Sequence, residues 1–189
     1  MAAVLAGGNG RRLGFDKAAV RFESGTLLEH AVGLVRPLAD CVVVVGRRFE
    51  SGRFRAVEGH PDAYPEAGPL GGIATALRLS QPRRCLIVPC DMPLLRRGLL
   101  ARLIRLHRPE TDATLLMNPV RGWPEPLVGV YAARCLPHMV EAIAAGRLAI
   151  WRTLARLTVR HVSISVDQAD QLVNLNTPND LSRLDLQGA

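Results

Sequence analysis

Four glycines and three cationic residues follow the first apolar segment of the chain, in the stretch Leu5-Ala6-Gly7-Gly8-Asn9-Gly10-Arg11-Arg12-Leu13-Gly14-Phe15-Asp16-Lys17. Glycine accepts positive φ angles and lets a ligand approach the backbone, so its N–H groups can converge on phosphate oxygens. Arg12 and Lys17 add positive charge at the same place. A Walker loop needs Gly-Lys-Ser/Thr, and a dinucleotide fingerprint needs a third glycine where Leu13 stands. We therefore predict a different triphosphate-binding loop, the alternative being a glycine-rich turn without a ligand.

A carboxylate follows the third apolar run, in the stretch Pro89-Cys90-Asp91-Met92-Pro93. A carboxylate at the end of a buried strand, with prolines restricting the flanking backbone, suits a magnesium ligand. Asp91 is therefore the candidate metal ligand. An aspartate that merely caps the strand end is the alternative.

Two further stretches carry residues that could contact a nucleotide. In an extended segment Asn174 and Asn176 project to the same side, where two carboxamides could complete a magnesium and phosphate shell. The alternative is that Asn176 helps to cap a helix that starts at Thr177. Small residues also open a helix at Gly68-Pro69-Leu70-Gly71-Gly72 and permit close approach of a base or ribose, although loop packing would explain them equally well.

The elements that must position these residues alternate along the chain. Strands are predicted at residues 3–6, 41–45, 85–88, 113–117, 127–131 and 159–164. Helices are predicted at 27–35, 70–79, 97–107, 134–145, 149–157 and from Thr177 onwards. The first three strands are continuously apolar, which is typical of parallel strands covered on both faces. We predict a single three-layer α/β domain over residues 1–189, Rossmann-like with a mostly parallel sheet, whose ligands bind outside the carboxyl ends of the strands.

Composition narrows the class of protein. The net charge is +7, but the 23 arginines are spread along the chain without interleaved aromatics, so small anionic substrates or ordinary arginine-rich composition are favoured over nucleic acid. The four cysteines lack C-x-x-C spacing and are expected to be reduced core thiols, and the five histidines show no zinc pattern. No apolar run reaches 18 residues, so we expect a cytoplasmic protein without membrane contact.

Together the four stretches resemble the molybdenum cofactor guanylyltransferases, the MobA-type members of the nucleotidyltransferase superfamily. The opening Leu-Ala-Gly-Gly signature, with its later Arg, Gly and Asp-Lys, is found at residues 5–8, 12, 14 and 16–17. Gly-Pro-Leu-x-Gly is found at 68–72, Cys-Asp-x-Pro at 90–93 and Asn-x-Asn-Thr-Pro at 174–178. Order and spacing agree over nearly the whole chain. Gly10 replaces a residue that often carries a small hydroxyl, and residues 121–127 on the acceptor side are only loosely similar.

The resemblance implies a magnesium-dependent reaction in which GMP passes from GTP to the terminal phosphate of molybdopterin or its molybdenum form. Molybdopterin guanine dinucleotide and pyrophosphate are the products. By the same resemblance the nucleotide is bound by Leu5, Ala6, Gly7, Gly8, Lys17, Asp62, Gly68, Pro69, Leu70 and Asp91. Asp62 would lie near the guanine and Asp91 would hold Mg²⁺. Arg12, Lys17 and Asp91 would be catalytic, and Asn174 and Asn176 would face the acceptor and metal.

Such chemistry agrees with the residues present, because a phosphate acceptor is already ionised at neutral pH and needs no general base. Positioning and charge neutralisation remain for the protein to supply. The resemblance also implies, as candidate protein partners, other cofactor-biosynthesis proteins or molybdoenzyme chaperones.

Three alternatives stay open at this point. A cytidylyltransferase for the same cofactor or a sugar-phosphate nucleotidyltransferase would keep the chemistry and change the substrates. A non-catalytic nucleotide-binding protein would be expected to lack Lys17 or Asp91, and both are present.

Overall fold

A seven-stranded sheet forms the centre of the structure, a computed structural model that describes residues 1–7, 16–49, 57–81 and 83–175. The strands in chain order are β1 (Ala2–Leu5), β2 (Arg21–Phe22), β3 (Gly25–Thr26), β4 (Val42–Val45), β5 (Val57–His60), β6 (Cys85–Pro89), β7 (Ala113–Met117), β8 (Pro124–Tyr131) and β9 (Val159–Ser163). The sheet order is β5-β4-β1-β6-β8-β7-β9, while β2 and β3 form a separate hairpin. Every pairing in the sheet is parallel except those of β8, which is antiparallel to both β6 and β7.

Helices cover both faces of the sheet and give the predicted three layers. They are α1 (Leu27–Val35), α2 (Gly68–Ser80), α3 (Arg97–Leu106), α4 (Leu136–Ala144) and α5 (Ile150–Leu154). Successive strand residues point to opposite faces, so Val4 packs in a core cluster with α1 and α3 while Ala3 packs in a second cluster with α2 and α4. Among the described residues no helix is both long and apolar enough to cross a membrane.

The predicted elements agree with the structure apart from particular boundaries. The predictions for α1 and β7 match residue for residue, whereas α5 ends at Leu154 and β8 begins earlier, at Pro124. β5 was not predicted, because it is an edge strand whose residues include Glu58, Gly59 and His60 and so lack an apolar run. The helix predicted from Thr177 lies outside the described residues.

The cysteines follow the prediction at three of four positions. Cys85, Cys90 and Cys135 are free and buried, and burial raises the pKa of each thiol to about 12. The prediction that Cys41 belongs to the core is wrong, because this free cysteine is exposed. The strand begins only at the next residue, so Cys41 still lies in the surface connection that leads into β4.

Candidate active site

The carboxyl ends of the parallel strands meet at one edge of the sheet, and described residues from the predicted motifs lie there. β1 is paired in parallel with β4 on one side and β6 on the other, so the segments that follow these three strands are neighbours. Ligands of open α/β sheets bind at this edge. The topology therefore places the described residues of the first motif, 5–7 and 16–17, and the second motif at the expected position.

Lys17 and Asp91 are brought into contact there. Lys17 opens a short 3₁₀ turn, Lys17–Ala19, and the Asp16 side chain caps this turn by accepting from the N–H of Ala18. Its Nζ lies 3.3 Å from Oδ2 of Asp91, 74 positions further along the chain, and the two side chains are 20% and 22% exposed. A cation and a carboxylate that were predicted from separate motifs thus share one partly open site.

The segment that carries Asn174 is attached to the same place. The backbone N–H of Leu175 donates to the backbone oxygen of Asp91 at 2.8 Å. Oδ1 of Asn174 is buried and has no hydrogen-bond partner among the described residues. Leaving a buried amide oxygen unpaired costs about 1–3 kcal/mol, so such an atom is expected to serve a ligand. Its neighbour in the motif, Asn176, lies outside the described residues.

The end of β1 offers mainly backbone groups. The carbonyl oxygen of Leu5 accepts from the N–H of Cys90 at 3.0 Å, and the N–H of Ala6 donates to the Val45 oxygen at 2.8 Å. Gly7 is exposed, and a Cβ on it would lie only 3.0 Å from Cα of Gly46. Close packing of two backbones therefore explains a small residue at this position. Gly8 and Arg12 lie outside the described residues.

The glycine-rich start of α2 divides into two parts. Gly71 faces the loop before the helix, and a Cβ there would collide with the carbonyl oxygen of Tyr64. That glycine is accounted for by packing. Gly68 has a φ of +56° with open space around it, and both it and Pro69 are exposed, whereas the side chain of Leu70 is fully buried. Gly68 and Pro69 present the surface that a nucleotide could touch, and Leu70 could contribute only through its backbone.

Asp62 lies between β5 and α2 and organises this loop. Its Oδ1 accepts from the N–H of Tyr64 at 2.9 Å and from the hydroxyl of Thr75 at 2.7 Å. The Thr75 hydroxyl oxygen in turn accepts from the N–H of Ala63 at 3.0 Å. The carboxylate is thereby held in one orientation, and contact with guanine remains a prediction.

Sequence reasoning missed Glu125, a buried acid near the start of β8. The residue is 8% exposed and stands where the pairing between β7 and β8 shifts register. Burial raises the pKa of Glu125; Arg121, 4.0 Å away, opposes this, and the charge of Asp91 adds to it. Its position opposite Leu116, near the carboxyl end of β7, places Glu125 at the same edge of the sheet as the site. A carboxylate within an otherwise apolar stretch was the signal that could have identified it.

Arg47 was missed as well. It follows β4 and Gly46 at the same edge, and its Nε donates to the carbonyl oxygen of Ala6 at 3.1 Å. Its guanidinium also forms an ion pair with Asp16, the residue before Lys17. The available signal was a glycine and a cation directly after an apolar strand.

Comparison with known proteins agrees with the predicted family. A family profile described as the MobA-like NTP transferase domain matches residues 2–164. A curated relative from Flavobacterium johnsoniae, named as a probable molybdenum cofactor guanylyltransferase, is 30% identical over 97% of this chain and 95% of its own length. The crystal structure of molybdopterin-guanine dinucleotide biosynthesis protein A from Archaeoglobus fulgidus is 30% identical, with a TM-score of 0.79 over 96% of this chain and 95% of that one.

A more distant structure shows how widely the fold is shared. The 2-C-methyl-D-erythritol 4-phosphate cytidylyltransferase from Thermus thermophilus superimposes with a TM-score of 0.70 at 16% identity, covering 98% of this chain and 97% of that one. The likeness confirms the nucleotidyltransferase fold and carries no information about the base. Because the family profile spans most of the sequence and relatives match along nearly all of it, the chain belongs to the MobA-like NTP transferase family and is a nucleotidyltransferase.

Proposed function

We propose that the protein transfers GMP from GTP to the terminal phosphate of molybdopterin, or of its molybdenum form, in a magnesium-dependent reaction. The observation that carries the proposal is the Lys17–Asp91 contact at the carboxyl edge, with the Asn174 segment attached to Asp91. The names of the Flavobacterium and Archaeoglobus relatives support the guanine dinucleotide as the product. Four free thiols support a cytoplasmic setting.

The reaction requires no protein nucleophile. An oxygen of the acceptor phosphate forms a bond to the α-phosphorus of GTP, and the bond from that phosphorus to the bridging oxygen breaks. Pyrophosphate leaves with the electron pair. Because the acceptor is already ionised, the protein has to hold the two anions in line and neutralise their charge. The ammonium group of Lys17, a compact point charge, suits a position between oxygens of neighbouring phosphates.

The residues beside Lys17 fit a magnesium ion. The Asp91 carboxylate and Oδ1 of Asn174, which has no hydrogen-bond partner among the described residues, are hard oxygen donors of the kind that Mg²⁺ binds in proteins. Substrate phosphates could supply further ligands. When bound, the ion would withdraw charge from the phosphate oxygens. Asn176 belongs to the same proposal through the family motif.

The nucleotide is proposed to lie along the ends of β1 and β5 and the start of α2. Gly7, Gly68 and Pro69 supply exposed backbone, and Asp62 stands in the loop between β5 and α2 where the guanine would be read. Gly8 and Arg12 are assigned to the triphosphate by the family motif alone.

Base preference is the part of the proposal that most needs a test, because the same fold serves a cytidylyltransferase. Thermal unfolding is measured with Mg²⁺ and each of GTP, CTP, ATP and UTP, since a ligand that binds the native state raises the apparent stability. We expect the largest increase with GTP. A larger increase with CTP would overturn the guanylyl assignment and leave the reaction class intact. The absence of transfer to molybdopterin in a parallel assay would favour a non-catalytic nucleotide-binding protein.

A further inference from the structure

Arg47 contacts both described ends of the segment that leads from β1 to Lys17. At one end its Nε donates to the Ala6 carbonyl oxygen at 3.1 Å, and at the other its Nη2 pairs with the carboxylate of Asp16. We propose that Arg47 is a positioning residue for nucleotidyl transfer, which holds Lys17 against Asp91 by acting through Asp16. The proposal adds a residue to the machinery, and its catalytic test rests on the proposed function.

The starting point of the Arg47 side chain is fixed by the backbone. The N–H groups of Gly46 and Arg47 both donate to the carbonyl oxygen of His60 on β5, at 2.8 and 3.2 Å. Gly46 has a φ of +95°, and a Cβ there would collide with the backbone of Gly7. The ends of β1, β4 and β5 are therefore packed backbone to backbone, and the Arg47 side chain extends from this rigid point across the end of β1.

Asp16 links Arg47 to the turn that begins at Lys17. Its Oδ1 accepts from the N–H of Ala18 at 3.2 Å while pairing with Arg47, so one carboxylate caps the 3₁₀ turn and binds the guanidinium. Burial alone would raise the pKa of Asp16, but the hydrogen bond and the charge of Arg47 outweigh it and hold the pKa below its ordinary value. Asp16 thus stays ionised at neutral pH, and the turn that starts at Lys17 keeps its cap.

The geometry suits arginine and not lysine. Nε and Nη2 of one planar guanidinium point in fixed directions, toward a carbonyl oxygen and toward a carboxylate. A lysine ammonium at this position has a single nitrogen and cannot reproduce the fork. Arg47→Lys is therefore expected to restore only part of what Arg47→Met loses.

The catalytic test is a double-mutant cycle. Arg47→Met, Asp16→Asn and the double variant are compared with the parent, and the exposed neighbour Arg48 supplies the control variant Arg48→Met. Asn at position 16 retains an oxygen for the Ala18 N–H and loses the charge. We expect Arg47→Met to lower kcat by about tenfold or more, because small misplacements of a catalytic group are costly. KM for GTP should change by less than about threefold, because Arg47 itself does not bind the substrate.

Coupling between the two residues decides how Arg47 acts. If it acts through Asp16, the double variant is no slower than the slower single variant. Losses that multiply would show that Arg47 makes its own contact with substrate, and a kcat equal to that of Arg48→Met would show no role at all. Either result overturns the proposal.

Hydrogen exchange supplies a readout that does not depend on nucleotide. The N–H groups of Ala18, Ala19 and Val20 bond to Asp16 or Lys17, so a peptide over residues 16–20 reports on this turn. We expect faster exchange there in Arg47→Met and in Asp16→Asn, and parent-like exchange in Arg48→Met. Unchanged exchange in Arg47→Met and Asp16→Asn would overturn the proposal, whether or not the parent transfers GMP. A parent that transfers no GMP would contradict the proposed function only. Should Arg47→Met unfold, Asp16→Asn removes the same ion pair from the other side.

Discussion

Two ion pairs lie at opposite edges of the sheet and use the same kinds of charged groups. Lys17 and Asp91 meet at the carboxyl edge at 3.3 Å. Asp112 and Arg134 meet at the amino edge, just before β7 and after β8, with Nε of the arginine 2.6 Å from Oδ1 of the aspartate. The pairs differ in what else they bind.

Both side chains of the amino-edge pair form further hydrogen bonds with backbone groups. Asp112 Oδ2 accepts from the Thr158 N–H at 2.9 Å, and Arg134 donates to the carbonyl oxygens of Pro109 and Thr111 at 2.8 and 2.6 Å. These contacts tie the starts of β7 and β9 to the turn before α4. The Lys17–Asp91 contact is longer and joins side chains that a ligand could reach. The backbone hydrogen bonds of Asp112 and Arg134 mark the amino-edge pair as structural, whereas the carboxyl-edge pair is the one that we propose to act on substrate.

Removing the charge of Asp91 is expected to have the largest effect. Asp91→Asn keeps the side-chain shape and the backbone bond from Leu175 but loses the charge that Mg²⁺ requires, so transfer should fall by about 10³-fold or more, ~4 kcal/mol of barrier. Steady-state transfer assays check this, with Asp167→Asn at an exposed position as the control. Activity within about threefold of the parent would identify Asp91 as a structural cap.

Lys17→Arg should cause the second-largest loss of transfer rate, although it preserves the charge. The chain uses arginine at its 23 other Lys/Arg positions, so we expect that a lysine stands here because the site needs an ammonium group. A planar guanidinium is wider than an ammonium group, and displacing the triphosphate by about 1 Å can cost roughly 10²-fold in rate. We expect a folded protein that binds GTP and transfers GMP about 10²-fold more slowly. Parent-like turnover would mean that any positive charge suffices there.

The amino-edge pair should affect stability instead of turnover. Asp112→Ala leaves the Thr158 N–H without its acceptor and the Arg134 guanidinium without its carboxylate, so the free energy of unfolding should fall by about 2 kcal/mol. Urea denaturation measures this loss. Transfer per folded molecule should match the parent; a selective loss of turnover would erase the distinction between the two edges.

Low pH should remove the stabilisation that the Asp112 carboxylate gives to the folded protein. Burial raises the pKa of Asp112, but the Thr158 N–H and the hydrogen bond and charge of Arg134 outweigh it and lower the pKa below the ordinary value of 3.8. A lowered pKa in the folded protein gives stability that is present above pH 3.8 and is lost as the pH falls through the lowered pKa. The stability difference between the parent and Asp112→Asn, measured by urea denaturation, should therefore shrink below that pH. A constant difference would contradict this.

The smallest effect is expected at Glu141, a surface acid on α4. Its carboxylate lies 2.9 Å from both Arg147 and Arg156, and these arginines hold its pKa below the ordinary value, Arg156 most strongly. All three groups are exposed, so water and salt screen the attraction. Glu141→Gln should lower the midpoint of thermal unfolding less than Asp112→Ala does, and the difference from the parent should vanish in high salt. A loss equal to that of Asp112→Ala would contradict the role assigned to backbone partners.

Local patterns predicted much of the fold and part of the site. The apolar run of β7 and the helical spacing of α1 each reflect burial on a single element, which a short window of sequence records. β5 was not predicted because an edge strand can be polar and so lack the apolar run that marks a buried strand. Arg47 was missed because its partners Ala6 and Asp16 are 41 and 31 positions away in the sequence. Glu125 was missed because its burial depends on the packing of β8 between β6 and β7.

The sequence by itself determined the family, the α/β class and the kinds of groups present: glycines for close approach, one lysine, and a carboxylate after a buried strand. Those features are local, so a short window of sequence is enough to identify them. Only the tertiary structure decided that Lys17 meets Asp91 across 74 positions, that Leu175 attaches the Asn174 segment to the same aspartate, and that Arg47 joins Ala6 to Asp16. These contacts arise because β1 is paired in parallel with both β4 and β6, so chain segments far apart in sequence end at one edge.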